Sequence, residues 1–62
     1  MKFKVRCKKH LAKDREWLLR SGLIYEANKI DDNRVEVINH YGNIIVLTLK
    51  EFHIYCEIIK QI

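Results

Sequence analysis

The sequence predicts a small all-β domain of about five antiparallel strands over residues 1–62. Three observations support this prediction. Val, Ile, Tyr and Thr dominate from residue 23 onward, short polar clusters separate the apolar runs, and the first eight residues alternate between cations and apolar side chains. With 62 residues and a hydrophobic content of 48%, the chain has the composition of one folded domain with a small core.

Residues 2–8 are predicted to form the first strand. Successive side chains of an extended chain point to opposite faces, so Phe3, Val5 and Cys7 form a strip that faces the core. The other face carries four cations in a row, Lys2, Lys4, Arg6 and Lys8. Like charges about 7 Å apart repel one another unless an anionic group lies against them. The row therefore indicates an anionic partner.

Three further strands are predicted between residues 23 and 49. Residues 23–30 and 34–38 read as strands, separated by the turn-forming cluster at residues 31–33. Residues 39–43 form the next turn and include a glycine, which adopts a positive φ at no steric cost. Residues 44–49 are apolar on both faces, which is typical of a central, buried strand.

Two segments fit more than one structure. Residues 11–21 fit a short helix that ends before Gly22, which would make the fold α+β, and they fit equally a long loop with one helical turn. In the tail, Leu49, Phe52, Cys56 and Ile59 also fall at helical spacing. We nevertheless predict a single turn at residues 49–52 and a strand over residues 53–59, because β-branched and aromatic residues dominate there.

The cations are concentrated near the N-terminal end of the chain. Residues 1–20 hold eight Lys and Arg against two acids, a net charge of +6, and residues 21–62 hold four against six, a net charge of −2. This asymmetry indicates a local basic patch, which attracts an acidic protein as readily as a phosphate backbone.

The sequence contains no run that reads as a signal peptide or a membrane span. The longest uninterrupted apolar stretch, residues 44–47, is far shorter than the roughly 20 residues that cross a bilayer. We therefore expect a cytoplasmic protein with no membrane partner, and an oligomeric state that the sequence leaves open.

The central segment resembles small phage and prophage proteins with a Src-homology-3-like β-barrel. Their pattern of leucine, any, any, glycine, any, isoleucine-tyrosine-glutamate is matched by Leu19, Gly22, Ile24, Tyr25 and Glu26. The resemblance implies a Src-homology-3-like barrel with a long first loop, a short helical turn and a closing strand. It also implies a module that binds and modulates a bacterial host protein, with an aromatic-lined binding face between the first long loop and the neighbouring turn.

Cysteine and histidine occur in a mirrored arrangement, Cys7-x-x-His10 and His53-x-x-Cys56. Barrels of this kind pair their first and last strands, which would bring the two cysteines together, and two Cys with two His form a zinc ligand set. Residues three apart on a strand point to opposite faces, however, so the four side chains converge only if both strands break. We favour two buried free thiols and two surface histidines, with no metal and no cofactor.

No arrangement typical of an enzyme is present. Asp31 and Asp32 lie in a predicted turn, where solvent keeps carboxylates ordinary, and Ser21 is not part of a nucleophile motif. Gly22 and Gly42 are isolated and do not form a phosphate-binding loop. We therefore expect a binding protein that is not an enzyme.

The predicted partner-binding residues are the N-terminal cations and the single tryptophan: Lys2, Lys4, Arg6, Lys8, Lys9, Lys13, Arg15, Trp17 and Arg20. We rank binding of an acidic surface on a host protein first, with Trp17 as an anchor, because Trp and Arg dominate interface hot spots. Trp17 fits equally a role in covering one end of the barrel.

Two alternatives remain open for the basic row. The N-terminal strand and loop fit a nucleic-acid-binding surface, although Phe3 faces the core and leaves the basic stretch without interleaved aromatic side chains. The cations also fit an exposed edge strand whose charges prevent edge-to-edge aggregation.

Overall fold

The computed structural model describes all 62 residues and contains seven strands and one short helix. The elements are β1 (Lys2–Cys7), β2 (Leu11–Lys13), β3 (Glu16–Leu19), β4 (Ile24–Lys29), β5 (Arg34–Ile38), β6 (Ile44–Thr48), α1 (Leu49–Tyr55) and β7 (Cys56–Gln61). Five strands form one antiparallel sheet in the order β6-β5-β4-β1-β7, and β2 and β3 form a separate hairpin. The predicted all-β class is confirmed. The helix α1 does not have the length that crossing a membrane requires.

The core lies against one face of the five-stranded sheet. It is built from alternate residues of the sheet strands, together with one side chain from the hairpin and one from the helix: Val5, Cys7, Leu19, Tyr25, Ala27, Val35, Val37, Leu47, Phe52 and Cys56. Leu19 attaches β3 to the sheet, and Phe52 attaches α1. Full burial of side chains of this size contributes about 1.5–3 kcal/mol each, so these two residues hold the hairpin and the helix in place.

Residues 11–21 form a β-hairpin, so both predictions for this segment, a helix and a long loop with a helical turn, are wrong. Its turn consists of Asp14 and Arg15, whose φ angles are 53° and 67°. Two consecutive residues with positive φ match the right-handed twist of the flanking strands. The segment lacks the Asn-Gly or Asp-Gly pair that usually marks such turns, and Leu11 and Leu19, which suggested a helix face, lie opposite each other across the hairpin.

Strand β6 is an edge strand, so its predicted central position is wrong. It pairs with β5 alone, and Ile44 and Val46 on its outer face are exposed while Leu47 is buried. The prediction failed because apolar residues on both faces of a strand do not distinguish a buried strand from one that exposes an apolar surface.

Strand β1 lies inside the sheet, between β4 and β7. The interpretation that its cations protect an exposed edge is therefore wrong. Phe3, Val5 and Cys7 face the core as predicted, with the last two almost completely buried.

The tail contains a helical segment followed by a strand, as predicted, but the boundary lies three residues later. Thr48 and Glu51 form a capping box, in which the Thr48 hydroxyl oxygen accepts the Glu51 N–H at 3.1 Å and the Glu51 carboxylate accepts the Thr48 N–H at 3.0 Å. This cap and the burial of Phe52 extend α1 to Tyr55 against the local strand preference. The pairing of the first and last strands is confirmed, with Cys7 directly opposite Cys56.

Both predicted sheet turns are present between the strands. At residues 31–33, one Asp31 oxygen accepts the Asn33 N–H at 2.8 Å, and the other accepts two bonds from Arg34 at 2.9 and 2.8 Å. These contacts lower the pKa of Asp31, the Asn33 N–H first. At residues 39–43, Gly42 has the expected positive φ, 83°.

The capping box generates a prediction for the helix. Thr48→Ala should lower the free energy of unfolding by about 1 kcal/mol, because the first turn loses a side-chain acceptor. Thr48→Ser keeps the oxygen and serves as the control in urea denaturation. Equal stability of the two variants would contradict the role of the cap.

The same contact sets a pH dependence. Hydrogen bonds at Thr48, the backbone bond first, hold the pKa of Glu51 below its ordinary value of 4.5. A lowered folded pKa means that this contribution to stability is fully present above the ordinary value and is lost as the pH falls through the folded value. Wild type should therefore lose more stability than Glu51→Gln on going from about pH 6 to about pH 3.

Candidate partner-binding surface

Two cations of β1 lie opposite a carboxylate on one neighbouring strand, whereas on the other side Lys4 lies opposite Lys60 and Arg6 lies opposite Ile24. Lys4 pairs directly across from Glu26 on β4, and Arg6 pairs across from Glu57 on β7, with 3.2 Å between Arg6 Nη1 and Glu57 Oε1. Opposite charges placed across strands stabilise a sheet by roughly 0.2–1 kcal/mol per pair. The row that seemed to require an external anion is therefore matched in part by the protein's own carboxylates.

The other two cations of the row are also placed beside polar groups. Lys2 lies opposite Asn28 on β4, and Lys8 Nζ donates a hydrogen bond to the carbonyl oxygen of His53 at 2.8 Å. The four predicted cations thus lie on β1 or directly after it, and other polar groups of the protein lie beside each of them: Lys2, Lys4, Arg6 and Lys8.

Ten of the twelve Lys and Arg side chains take part in no salt bridge, and four of these ten lie on the β2–β3 hairpin or within two residues of it in the chain. The structure contains two salt bridges, Arg6–Glu57 and Arg34–Asp31. The predicted residues Lys9, Lys13, Arg15 and Arg20 take part in neither, and all four are exposed. The hairpin therefore adds cations outside ion pairs to those at Lys2, Lys4 and Lys8, and it also carries the carboxylates Asp14 and Glu16.

A groove separates the hairpin from the turn between β5 and β6. It has a volume of about 410 Å³ and is lined by Arg15, Glu16, Trp17, Tyr41 and Asn43. Trp17 is 47% exposed and Tyr41 is 69% exposed, so both rings are accessible from solvent.

Trp17 is held in place on the hairpin while half of its surface stays accessible. Its ring contacts the ring of His10 edge to face, with 4.5 Å between centroids and an angle of 75°. His10 Nδ1 accepts the Ser21 N–H at 3.1 Å, which fixes the imidazole that supports the indole. A large ring that is ordered before binding loses little entropy on association, as an anchor requires.

Tyr41 is presented by a turn that Asn39 organises. The Asn39 side-chain oxygen accepts the N–H groups of Tyr41 and Asn43 at 3.0 and 2.9 Å. Asn39 is buried, and its amide nitrogen has no hydrogen-bond partner within the protein. These bonds fix the backbone on both sides of the turn, which keeps the exposed Tyr41 ring facing the hairpin across the groove.

The hydroxyl of Tyr25 connects the two sides of the groove. It accepts the Arg20 N–H at the end of the hairpin at 2.9 Å, which leaves its hydrogen for His40 Nδ1 at 3.2 Å. The centroids of the His40 and Tyr41 rings are 4.2 Å apart. Tyr25 itself is buried in the core, so the hairpin and the turn are both attached to one rigid side chain.

Arg15 occupies an unfavourable backbone conformation at the tip of the hairpin. Its φ of 67° lies in the left-handed region, which costs an L-residue about 1–2 kcal/mol and which glycine adopts freely. A cation stands there, at the rim of the groove. Asp14 shares this conformation, so the strain belongs to the turn that closes the hairpin.

The two cysteines lie together, whereas the two histidines do not join them. Cys7 and Cys56 are buried, free and directly opposite each other, and Cys7 Sγ donates to the Lys9 carbonyl oxygen at 2.8 Å. His10 contacts Trp17, and His53 is exposed on α1. The structure contains no group of three or more His, Cys, Asp or Glu side chains placed to hold a metal ion.

Burial keeps both thiols protonated. It raises the pKa of Cys7, and together with the neighbouring Cys7 it raises the pKa of Cys56 to about 12. Because the thiolate is the reactive form, these side chains behave as small core hydrophobes.

Sequence reasoning omitted one side of the groove from the predicted site. Tyr41, Asn43 and the organising Asn39 were assigned only to a turn, although an aromatic residue between two asparagines beside a glycine is a signal of an ordered, exposed ring. Comparison with models of protein families, with curated proteins and with solved structures gave no match to this chain. The resemblance to phage barrel proteins therefore stays a prediction.

The burial of the thiols predicts slow labelling. A thiol-specific reagent such as DTNB should react with the native protein at about pH 8 at least about a hundredfold more slowly than with the protein in guanidinium. Immediate labelling of either native cysteine would contradict this burial.

The buried thiols also predict a pH dependence of stability. Because their folded pKa values lie above the ordinary value of 9.0, their contribution to the free energy of unfolding should be fully present below about pH 9 and should fall as the pH rises toward 12.

The strain at Arg15 predicts a stabilising substitution. Arg15→Gly should raise the free energy of unfolding by about 0.5–1 kcal/mol, because the relief of left-handed strain exceeds the entropy that glycine loses on folding. Asp14→Gly changes the other residue of the turn with positive φ and is a second test, which should also raise the free energy of unfolding. The measurement is urea denaturation, and a less stable Arg15→Gly would show that the turn is not strained.

Proposed function

We propose that this chain is a small protein-binding module that binds an acidic surface of its partner through the groove between the β2–β3 hairpin and the β5–β6 turn. The observation that carries the proposal is the pair of exposed rings, Trp17 and Tyr41, on opposite sides of this groove, with Arg15 at its rim. Trp, Tyr and Arg are the residues that most often supply the binding energy of protein interfaces.

The distribution of charge supports an acidic partner at the hairpin. Arg15 lines the groove beside Glu16, and Lys13 and Arg20 lie on the same hairpin or directly after it; none of these three cations forms a salt bridge. The carboxylates Glu26 and Glu57 lie beside the cations of β1. An acidic surface is attracted to the hairpin side of the molecule, and salt weakens the association. The cations at residues 2, 4, 6 and 8, on β1 or directly after it, add to the long-range attraction and lie at the edge of the proposed contact with the partner.

A bacterial host protein is the proposed partner. The resemblance to phage and prophage barrel proteins supports it, and such a module modulates its target by occupying a surface, without a chemical reaction. The two free cysteines are compatible with action in the cytoplasm, where thiols stay reduced.

The alternative is binding of nucleic acid by the N-terminal strand and the hairpin. Phosphates would have to approach Lys4 and Arg6 beside Glu26 and Glu57, which repel them. The exposed aromatic side chains are only two, on opposite walls of one groove, and do not form a track along which successive bases stack. We therefore rank this function second.

The test is capture of a partner from a bacterial lysate by immobilised wild type, Trp17→Ala, Tyr41→Ala and Ile54→Ala. Ile54→Ala is the matched control, because Ile54 has nearly the same exposed fraction as Trp17, 44% against 47%, and lies on α1 instead of the groove. Wild type and the control should retain the same protein, and the two groove variants should lose it, with an affinity at least about thirtyfold weaker for Trp17→Ala. Polyglutamate should compete for the groove, and polylysine should not.

Two outcomes would contradict the proposal. Equal capture by wild type and both groove variants would remove the groove as the binding site. Binding of random duplex or single-stranded oligonucleotides tighter than about 100 μM at low salt, insensitive to Tyr41→Ala, would instead support the nucleic-acid alternative.

A further inference from the structure

Strand β6 has free hydrogen-bonding groups of its backbone at one edge of the sheet. The Leu49 N–H donates to the Asn33 carbonyl oxygen at 2.7 Å, in the same register as the pairing of β6 with β5, so the odd-numbered residues of β6 bond to β5. In an antiparallel pair, the peptide groups of the alternate residues point to the other side. The N–H and C=O groups of Ile44 and Val46 therefore point away from β5, and β6 has no second neighbour to pair with them.

The two edges of the sheet differ in their protection against pairing with a further strand. At the other edge, β7 carries Glu57 and Lys60, and its pairing with β1 contains a register shift. Charged side chains and bulges of this kind hinder the addition of a strand. In β6 there is no charged residue and no proline, and its register with β5 is continuous. The edge of β6 is therefore open to a strand from another chain.

The free edge of β6 lies along the same cleft as the partner-binding groove. Asn43, the residue directly before β6, lines the groove. A second hollow of about 230 Å³ follows along β6, lined by Leu11 and Leu18 on the hairpin side and by Ile45 and Leu47 on the sheet side. The hairpin forms a separate sheet, so no backbone pairing closes the space between it and β6. An extended segment that leaves the groove can therefore continue along the edge.

The charges along this cleft are of both signs. Arg15 and Glu16 line the groove, and Lys13 and Glu51 line the second hollow. On the outer face of the sheet, the neighbouring strand β5 adds one carboxylate and one cation across from β6, Glu36 and Arg34. Charge therefore does not select the segment that lies along β6, and recognition there depends on backbone hydrogen bonds and apolar contacts.

We propose that the partner contributes an extended segment that pairs with the free edge of β6 as a further strand of the sheet. Its backbone bonds to the N–H and C=O groups of Ile44 and Val46. Its side chains alternate between the two faces, so one set enters the apolar hollow beside Leu11 and Leu18 and the other set contacts the exposed side chains of Ile44 and Val46. The inference rests on the proposed function and specifies the form of the partner: a strand with apolar side chains at alternate positions.

Amide hydrogen exchange tests the pairing, with a probe peptide of about eight residues in which valine and threonine alternate between terminal glutamates. In the free protein, the amides of Ile44 and Val46 should exchange at least about a hundredfold faster than those of Ile45 and Leu47, which bond to β5. Saturating peptide should slow the exchange of Ile44 and Val46 at least about tenfold. The same peptide with its central amides N-methylated lacks the donors and should have no effect.

Val46→Pro is the variant that blocks the free edge. Proline removes the N–H that points into the cleft and keeps the bonds of Ile45 and Leu47 to β5, because the solvent side of an edge strand tolerates it. The matched control Val46→Thr keeps the N–H and a β-branched side chain. Val46→Pro should bind the peptide at least about tenfold more weakly than wild type, and Val46→Thr should bind it about equally. Circular dichroism verifies that both variants are folded.

Three results with the peptide would overturn the proposal: no binding at about 1 mM, equal binding by Val46→Pro, or binding that leaves the exchange of Ile44 and Val46 unchanged. Slow exchange of these two amides in the free protein that depends on protein concentration would also overturn it, in favour of a second copy at this edge.

Capture from the lysate separates this inference from the proposed function. Capture that Trp17→Ala loses and Val46→Pro keeps would overturn the strand pairing and support the groove. Capture that Val46→Pro loses and both Trp17→Ala and Tyr41→Ala keep would overturn the groove and support the strand pairing.

Discussion

Strand β1 connects the last strand to the rest of the sheet. It pairs with β4 on one side and β7 on the other, and its inward residues Val5 and Cys7 are almost completely removed from solvent. Its end also holds the connections in place, because the Cys7 carbonyl oxygen accepts the Gly22 N–H at 2.9 Å and the Lys8 N–H donates to the Tyr55 carbonyl oxygen at 2.7 Å. The strand therefore holds β7 in the sheet, and the backbone at its end is hydrogen-bonded to a residue that follows the hairpin and to the last residue of the helix.

The central position of β1 changes the meaning of its cations. A basic row at the edge of a sheet would face solvent and any anionic partner freely, whereas a row inside a sheet has strands on both sides. Here those strands carry Glu26 and Glu57 at the matching register, so the basic N-terminus and the acidic remainder of the chain neutralise each other in part. The hairpin carries further cations outside the two salt bridges, close in the chain to the exposed ring of Trp17.

The molecule thus presents two surfaces of different chemistry. The groove is built from a hairpin and a turn and is lined by two exposed rings, one cation, Arg15, and one carboxylate, Glu16. The outer sheet face carries exposed aliphatic side chains on regular strands. A chain with ten buried hydrophobic residues has little stability to spare.

The sequence by itself determined the strands whose inward and outward residues alternate, the turns at residues 31–33 and 39–43, and the core-facing positions of β1, because period-2 patterning and turn chemistry are local properties. It also indicated that Cys7 and Cys56 would lie together if the end strands pair.

Only the tertiary structure decided the order of the strands, which placed β6 at an edge and β1 inside the sheet. It alone brought Trp17 and Tyr41 to one groove, and it alone placed carboxylates against the basic row. These are relations between residues far apart in the chain, and hydrophobic periodicity does not encode which strand becomes the neighbour of another. The Asp14-Arg15 turn escaped the sequence reading for a different reason: its positive φ angles are imposed by the hairpin that it closes, against the intrinsic preference of both residues.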